Sequence, residues 1–291
     1  MTAQTAAASG VEIAYETFGD RADPTLLLVA GLGTQMLSWH EEFCAAFVER
    51  GLFVVRFDNR DIGLSTHLHD APKPDLMAVF GGDTSSASYR LEDMADDVVG
   101  LLDALGVDAA HVVGASMGGM IAQTVAIRHP GRVRSLSSIM STPSPHIGAA
   151  TREALAVLLA APATSRDEAV ERAVTAYRVI GSPGYPLDEA WLSEITGQAW
   201  DRGYDPTGIA RQLVAIHASG DRTEALRSLR VPTLVVHGED DPLVQVAGGL
   251  ATADAVPGAE LLLLPGMGHD FPRELWPTIV DAVVANTRRA G

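Results

Sequence analysis

The chain has 291 residues, a formal net charge of −16 and a single cysteine. That length can hold one large domain, or a domain carrying an insertion, with a core that needs no covalent cross-link. One cysteine, Cys44, excludes a disulfide framework and any multi-cysteine metal site, and the acidic balance argues against a nucleic-acid partner, which would draw on a basic surface.

Residues 1–10 carry no basic segment leading into an apolar stretch, and no run approaches the roughly 18 apolar residues of a membrane span. A cytoplasmic protein without a membrane partner is therefore expected. Residues 11–18 alternate in the manner of a strand, while 26–29 and 53–57 are short apolar runs that read as buried strands. Residues 39–50 and 91–105 have the apolar spacing of helices, and Cys44 falls in the first, where packing is its expected role. Residues 80–88, rich in Gly, Ser and Asp, read as a surface loop.

The next segment carries chemistry. His111-Val112-Val113 leads into Gly114-Ala115-Ser116-Met117-Gly118, and a helix-like stretch follows from residue 120 to 128. This is G-x-S-x-G between a strand and a helix, the setting of a nucleophile elbow. A serine hydroxyl is a weak nucleophile unless it is held on an exposed tip within reach of a base. The strand and the returning helix pass so closely there that Gly114 and Gly118 must lack side chains. The helix start also aims free N–H groups at charge developing beside Ser116, which makes the N–H of Met117 a candidate oxyanion donor. Its partner is expected in the loop after an early strand, where Ala30-Gly31-Leu32-Gly33 follows 26–29, and the Leu32 N–H is the candidate.

Residues 136–140 add one more strand, after which no convincing strand occurs between 142 and 229. Helices are expected at 149–160, 165–180, 188–200 and 206–218. The strand at 232–238 ends in a turn followed by Asp241-Pro242, and the apolar run 261–264 breaks into Pro265-Gly266-Met267-Gly268-His269. A final helix is expected at 274–287. Asp241 is the candidate acid and His269 the candidate base, completing the chain order Ser, acid, His. Glu239 and Asp240 compete for the acid role, and Asp270 is expected to point elsewhere. There are nine histidines; His111 and His237 lie in strands and read as structural.

Parallel βα units interrupted by a helical block predict an α/β fold, a doubly wound and mostly parallel sheet with an inserted helical cap. The boundaries are 1–141 and 230–291 for the core and 142–229 for the cap. The cap supplies Tyr177, Tyr185, Trp191, Trp200 and Tyr204, of which one or two are expected to line a pocket over Ser116. Met117, Met120 and Met140 are expected mainly in the core.

Together these segments resemble the α/β-hydrolase superfamily, and more closely its capped bacterial branch of aclacinomycin methylesterase-like and cofactor-free haloperoxidase-like esterases. The resemblance rests on residues 28–33, 56–65, 111–119, 236–242 and 265–269. It implies an eight-stranded sheet, a helical lid, a Ser116-Asp241-His269 triad, no cofactor and no metal, and a structural role for 56–65. The chain departs from the commonest pattern at Ala30-Gly31, where His-Gly is typical, so the family's anchoring of that loop does not transfer.

The expected activity is hydrolysis of an apolar small-molecule carboxylic ester, polyketide-like esters included, through an acyl-enzyme. The alternatives are a lactonase or C–C bond hydrolase with the same triad, or a ligand-binding protein without turnover. Oligomeric state is left open, a homo-oligomer included.

Overall fold

The computed structural model describes residues 3–290. Eight strands, β1 (Gln4–Ala8), β2 (Val11–Phe18), β3 (Thr25–Val29), β4 (Phe53–Phe57), β5 (Ala110–Ala115), β6 (Val133–Ile139), β7 (Thr233–Gly238) and β8 (Glu260–Leu264), form one sheet in the order β1-β2-β4-β3-β5-β6-β7-β8. β2 pairs antiparallel with both β1 and β4; the remaining pairings, along β4-β3-β5-β6-β7-β8, are all parallel. The helices are α1 (Glu41–Val48), α2 (Leu76–Phe80), α3 (Leu91–Leu105), α4 (Met117–Arg128), α5 (Arg152–Leu158), α6 (Arg166–Ile180), α7 (Glu189–Arg202), α8 (Pro206–Ala218), α9 (Thr223–Leu226), α10 (Ala247–Ala255) and α11 (Trp276–Arg288).

β3 and β5 are buried at every position, as expected of parallel strands covered on both faces. One face packs on α3, α4 and the end of α10, and the other on α1 and α11. In α3 the buried residues Leu91, Met94, Ala95, Val98, Leu101, Leu102 and Leu105 form one apolar stripe. Asp93 accepts the Arg90 N–H at its start, and Gly106, at φ 68°, ends it in a left-handed turn. α4 is buried on nearly all sides, so its sequence is apolar all round.

The sequence reading missed β1, which is short and Ala-rich and is held by pairing with β2, and it missed α2, a single turn ending where the 80–88 loop was expected to start. The observed α1 begins at Glu41, two residues late, because His40 caps it by accepting the Glu42 N–H.

Every regular element between β6 and β7 is helical. α6 contributes no buried residue, α5 only Ala154, and α7 only Leu192 and Gly197. α8 differs, with Arg211 and Gln212 fully covered against the core. Arg211 makes two bonds to Asp61, at 2.8 and 2.7 Å, and Gly208 lies so close that a β-carbon there would stand 2.4 Å from the Asp61 carbonyl oxygen. The 56–65 segment is a structural hub: Arg56 pairs with Glu16, Asp58 with Arg202, and Arg60 with Asp97. Breaking one side of such a buried pair typically costs about 3–5 kcal/mol, because the other charge is left uncompensated.

Candidate active site

Ser116 stands at the tip between β5 and α4 with φ 56° and ψ −123°, a backbone conformation that a side-chain-bearing residue rarely adopts. The surroundings hold it there. Its N–H donates to the Ile139 carbonyl at 2.9 Å, and its own carbonyl accepts from the Ser141 hydroxyl at 2.8 Å. A β-carbon on Gly114 would lie 2.0 Å from the Gly118 carbonyl oxygen, and one on Gly118 would lie 2.0 Å from that of Val29. Both glycines are therefore required by the close passage of strand and helix.

His269 lies in the loop after β8. Its backbone N–H donates to the Ile180 carbonyl at 2.7 Å, and Gly268 N–H donates to the Ser182 hydroxyl at 2.8 Å, so the turn after α6 fixes the loop. The imidazole Nε2 is 2.9 Å from Ser116 Oγ and Nδ1 is 2.7 Å from Asp241 Oδ2. With the proton on Nδ1, the ring donates to Asp241 and accepts from the serine hydroxyl. Asp241 follows β7, and its Oδ1 accepts the N–H groups of Leu243 and Val244 at 2.8 and 2.9 Å. The structure thus brings Ser116, His269 and Asp241 into one hydrogen-bonded line.

The competing acids are engaged elsewhere. Asp240 accepts the Gly266 N–H at 2.9 Å, Glu239 is exposed, and the half-buried Asp270 accepts from the Ser182 hydroxyl, with partial desolvation raising its pKa. His237 is fully buried; burial lowers its pKa, and its Nε2–H donates to the Val244 carbonyl at 2.7 Å, bracing the turn that carries Asp241. His111 pairs with Ser135, and burial depresses its pKa to about 4.

Leu32 lines the same cavity as Ser116, and Met117 follows Ser116 at the start of α4. Neither of their N–H groups donates to a protein acceptor among the described residues, so both are available. A β-carbon on Gly31 would come within 3.2 Å of Ser116 Cβ, which measures how closely the loop after β3 approaches the serine. Sequence reasoning found no anchor for this loop. The structure shows Asn59 Nδ2 donating to the Ala30 carbonyl at 3.1 Å, and Gln212 of α8 accepting the Gly33 N–H at 3.0 Å. No period or motif in the sequence marks Asn59 or Gln212 for this role.

Ser116 and His269 open into a cavity of about 750 Å³. Its walls are mostly apolar, with Trp39, Phe43 and Phe271 from the core and Tyr177, Trp191 and Leu213 from the helices between β6 and β7. Trp200 and Tyr204 instead stack on each other, and Tyr185 donates to the Pro265 carbonyl. Met120 and Met140 reach the cavity, whereas the Met117 side chain lies in the core. Among the described residues one cluster, His67, His69 and Asp205, sets three possible metal-ligand atoms within 4.8 Å of one another, away from the cavity. Both His67 nitrogens already have oxygen partners, and Arg211 stands 3.5 Å from the same Asp205 oxygen. No helix among the described residues is long and apolar enough to cross a membrane.

A family model described as alpha/beta hydrolase fold matches residues 24–272. The chain is 29% identical to a rhodomycin D methylesterase of a Streptomyces species, over 94% of each chain. It is also 29% identical to 3-oxoadipate enol-lactonase 2 of Acinetobacter baylyi, over 84% of this chain and 82% of that one. The crystal structure of the enol-lactonase from Burkholderia xenovorans superimposes with a TM-score of 0.74 at 24% identity, covering 98% of this chain and 100% of the other. Fold, sheet order and family match agree, and the chain belongs to the alpha/beta hydrolase fold family, as a hydrolase of the esterase type.

Proposed function

We propose that the protein is a serine carboxylic ester hydrolase, with Ser116 as nucleophile, His269 as general base and then general acid, and Asp241 as the group that orients and stabilises the imidazole. The observation that carries this reading is the pair of contacts at His269, 2.9 Å to Ser116 Oγ and 2.7 Å to Asp241 Oδ2, at the floor of an apolar cavity. As Ser116 attacks the ester carbonyl, its proton passes to His269 Nε2, and the resulting imidazolium is stabilised by Asp241. The oxyanion of the tetrahedral intermediate is received by the N–H groups of Leu32 and Met117, aided by the positive end of α4. His269 returns the proton to the departing alkoxide, leaving an acyl-enzyme. Water, deprotonated by the same imidazole, then releases the acid.

The substrate class is an apolar ester, for which a cavity of this size and lining is suited. The rhodomycin D methylesterase relative supports a methyl ester, and the apolar, aromatic-lined cavity suits a polycyclic, polyketide-like acid. We take residues 142–229 as the cap, with Tyr177 and Trp191 as its aromatic contribution to the cavity wall beside aliphatic side chains such as Leu155, Leu192 and Leu213. The enol-lactonase relative supports a second reading, lactone opening, in which the same acyl transfer has a tethered leaving group. The fully buried free thiol of Cys44 fits a reducing, cytoplasmic setting.

The test is hydrolysis of p-nitrophenyl esters, aromatic methyl esters and lactones by the wild type and Ser116→Ala. Ester turnover that disappears in a folded variant is expected. Turnover that persists in Ser116→Ala, or a wild type that binds these compounds without cleaving any, overturns the reading.

A further inference from the structure

Three consecutive peptide groups after β3 are pinned, each by a different side chain. The Ala30 carbonyl accepts from Asn59 Nδ2 at 3.1 Å. The Gly31 carbonyl accepts from the Thr34 hydroxyl at 3.0 Å and from the Thr34 N–H at 3.3 Å. The Gly33 N–H donates to Gln212 Oε1 at 3.0 Å. The second of these determines a direction. In a planar trans peptide the carbonyl and the N–H point opposite ways, and no cis peptide occurs among the described residues. Holding the Gly31 oxygen back on Thr34 therefore turns the Leu32 N–H, on the same peptide plane, away from Thr34.

The third contact stops the loop from rotating about that plane. Gln212 is fully buried, and its Nε2 donates to the Arg60 carbonyl at 2.8 Å, so the amide is held at both ends. The helix carrying it is docked by the Arg211–Asp61 pair, and the Ile209 side chain on the same helix packs against Gly33, which has φ +68°. The geometry points to Thr34 and Gln212 as positioning residues that aim the Leu32 N–H at the oxyanion. Thr34 lines the cavity, but neither it nor Gln212 is bonded to Ser116 or His269; each acts through the backbone around Leu32. The inference rests on the serine hydrolase reading above.

Thr34→Val removes the hydroxyl bond while keeping the side-chain shape, at a half-buried position. Gln212→Met removes the second contact, and Thr34→Ser restores the first. Steady-state ester hydrolysis and affinity for an aryl boronic acid, whose adduct on Ser116 mimics the tetrahedral intermediate, are measured for each variant. In Thr34→Val and Gln212→Met, kcat is expected to fall by about tenfold to a hundredfold, the scale of a displaced rather than deleted donor. KM stays within about threefold, boronate affinity falls in parallel with kcat, and Thr34→Ser recovers most of both. A wild type active on esters with both variants matching it in kcat overturns the clamp alone. So does a loss of kcat that tracks a falling Tm with boronate affinity unchanged. A wild type without any ester turnover overturns the hydrolase reading and the clamp with it.

Discussion

His269 Nε2 lies 2.9 Å from Ser116 Oγ although the two residues are 153 positions apart in the chain. The contact depends on the elbow, which thrusts Ser116 out of β5, and on the bonds that tie the His269 loop to the turn after α6. Replacing Ser116 by Ala removes the proposed nucleophile and leaves that scaffold intact. Ester kcat is expected to fall by at least about 10⁴-fold while Tm stays within a few degrees, as checked by turnover assays beside thermal melts.

Asp241 and Asp240 are adjacent but serve different loops. Asp241→Asn exchanges a carboxylate for an amide that no longer favours the proton on Nδ1, and kcat should drop by about 10⁴-fold, the scale seen for this change in the Ser-His-Asp template. Asp240→Asn loses only an exposed bond to the Gly266 N–H and should keep kcat within about threefold. Equal losses in the two variants would reverse the assignment.

The elbow also sets a steric test. A methyl group on Gly118 would meet the Val29 carbonyl oxygen at 2.0 Å, where only backbone can move aside. Gly118→Ala should destabilise the protein by about 3 kcal/mol or more. Gly131→Ala meets nothing within 4 Å and should stay within about 0.5 kcal/mol of the wild type. Urea unfolding midpoints compare the two directly.

His111 offers a pH test of stability. Burial lowers its folded-state pKa from 6.5 to about 4. Between those values the unfolded chain takes up a proton that the folded protein refuses, so stability falls as pH drops from 6.5 toward 4. The contribution is at most about 3 kcal/mol, at 1.36 kcal/mol per pH unit. His111→Gln, which can still bond Ser135, should show a smaller loss of stability over this window. Denaturation at pH 7 and pH 4.5 measures the difference.

Cys44 is fully buried and its pKa is pushed up to about 12 by that burial. The thiol should not react with a disulfide reagent at pH 8 in the folded protein, and should react with one equivalent after unfolding in urea. Rapid labelling of the native protein would contradict this placement of α1.

The amino-acid sequence by itself determined those features that are local in the chain. Apolar runs marked β3, β4 and β7, period-3.6 spacing marked α3, and the glycines around Ser116 marked a turn that no other residue could form. Each is a local requirement written within about fifteen residues. Tertiary structure decided what depends on residues far apart. Three acids, Glu239, Asp240 and Asp241, stand side by side in sequence; the turn that donates Leu243 and Val244 N–H to Asp241 turned that one toward His269 and left Asp240 to Gly266. Of the aromatic residues between β6 and β7, the packing of α6 and α7 sent Tyr177 and Trp191 to the cavity and paired Trp200 with Tyr204 instead. The anchor of the loop after β3 came from Gln212, 179 positions from Gly33. A side chain that satisfies a distant backbone group leaves no period or motif in the sequence, because the need it meets exists only once the helix has docked.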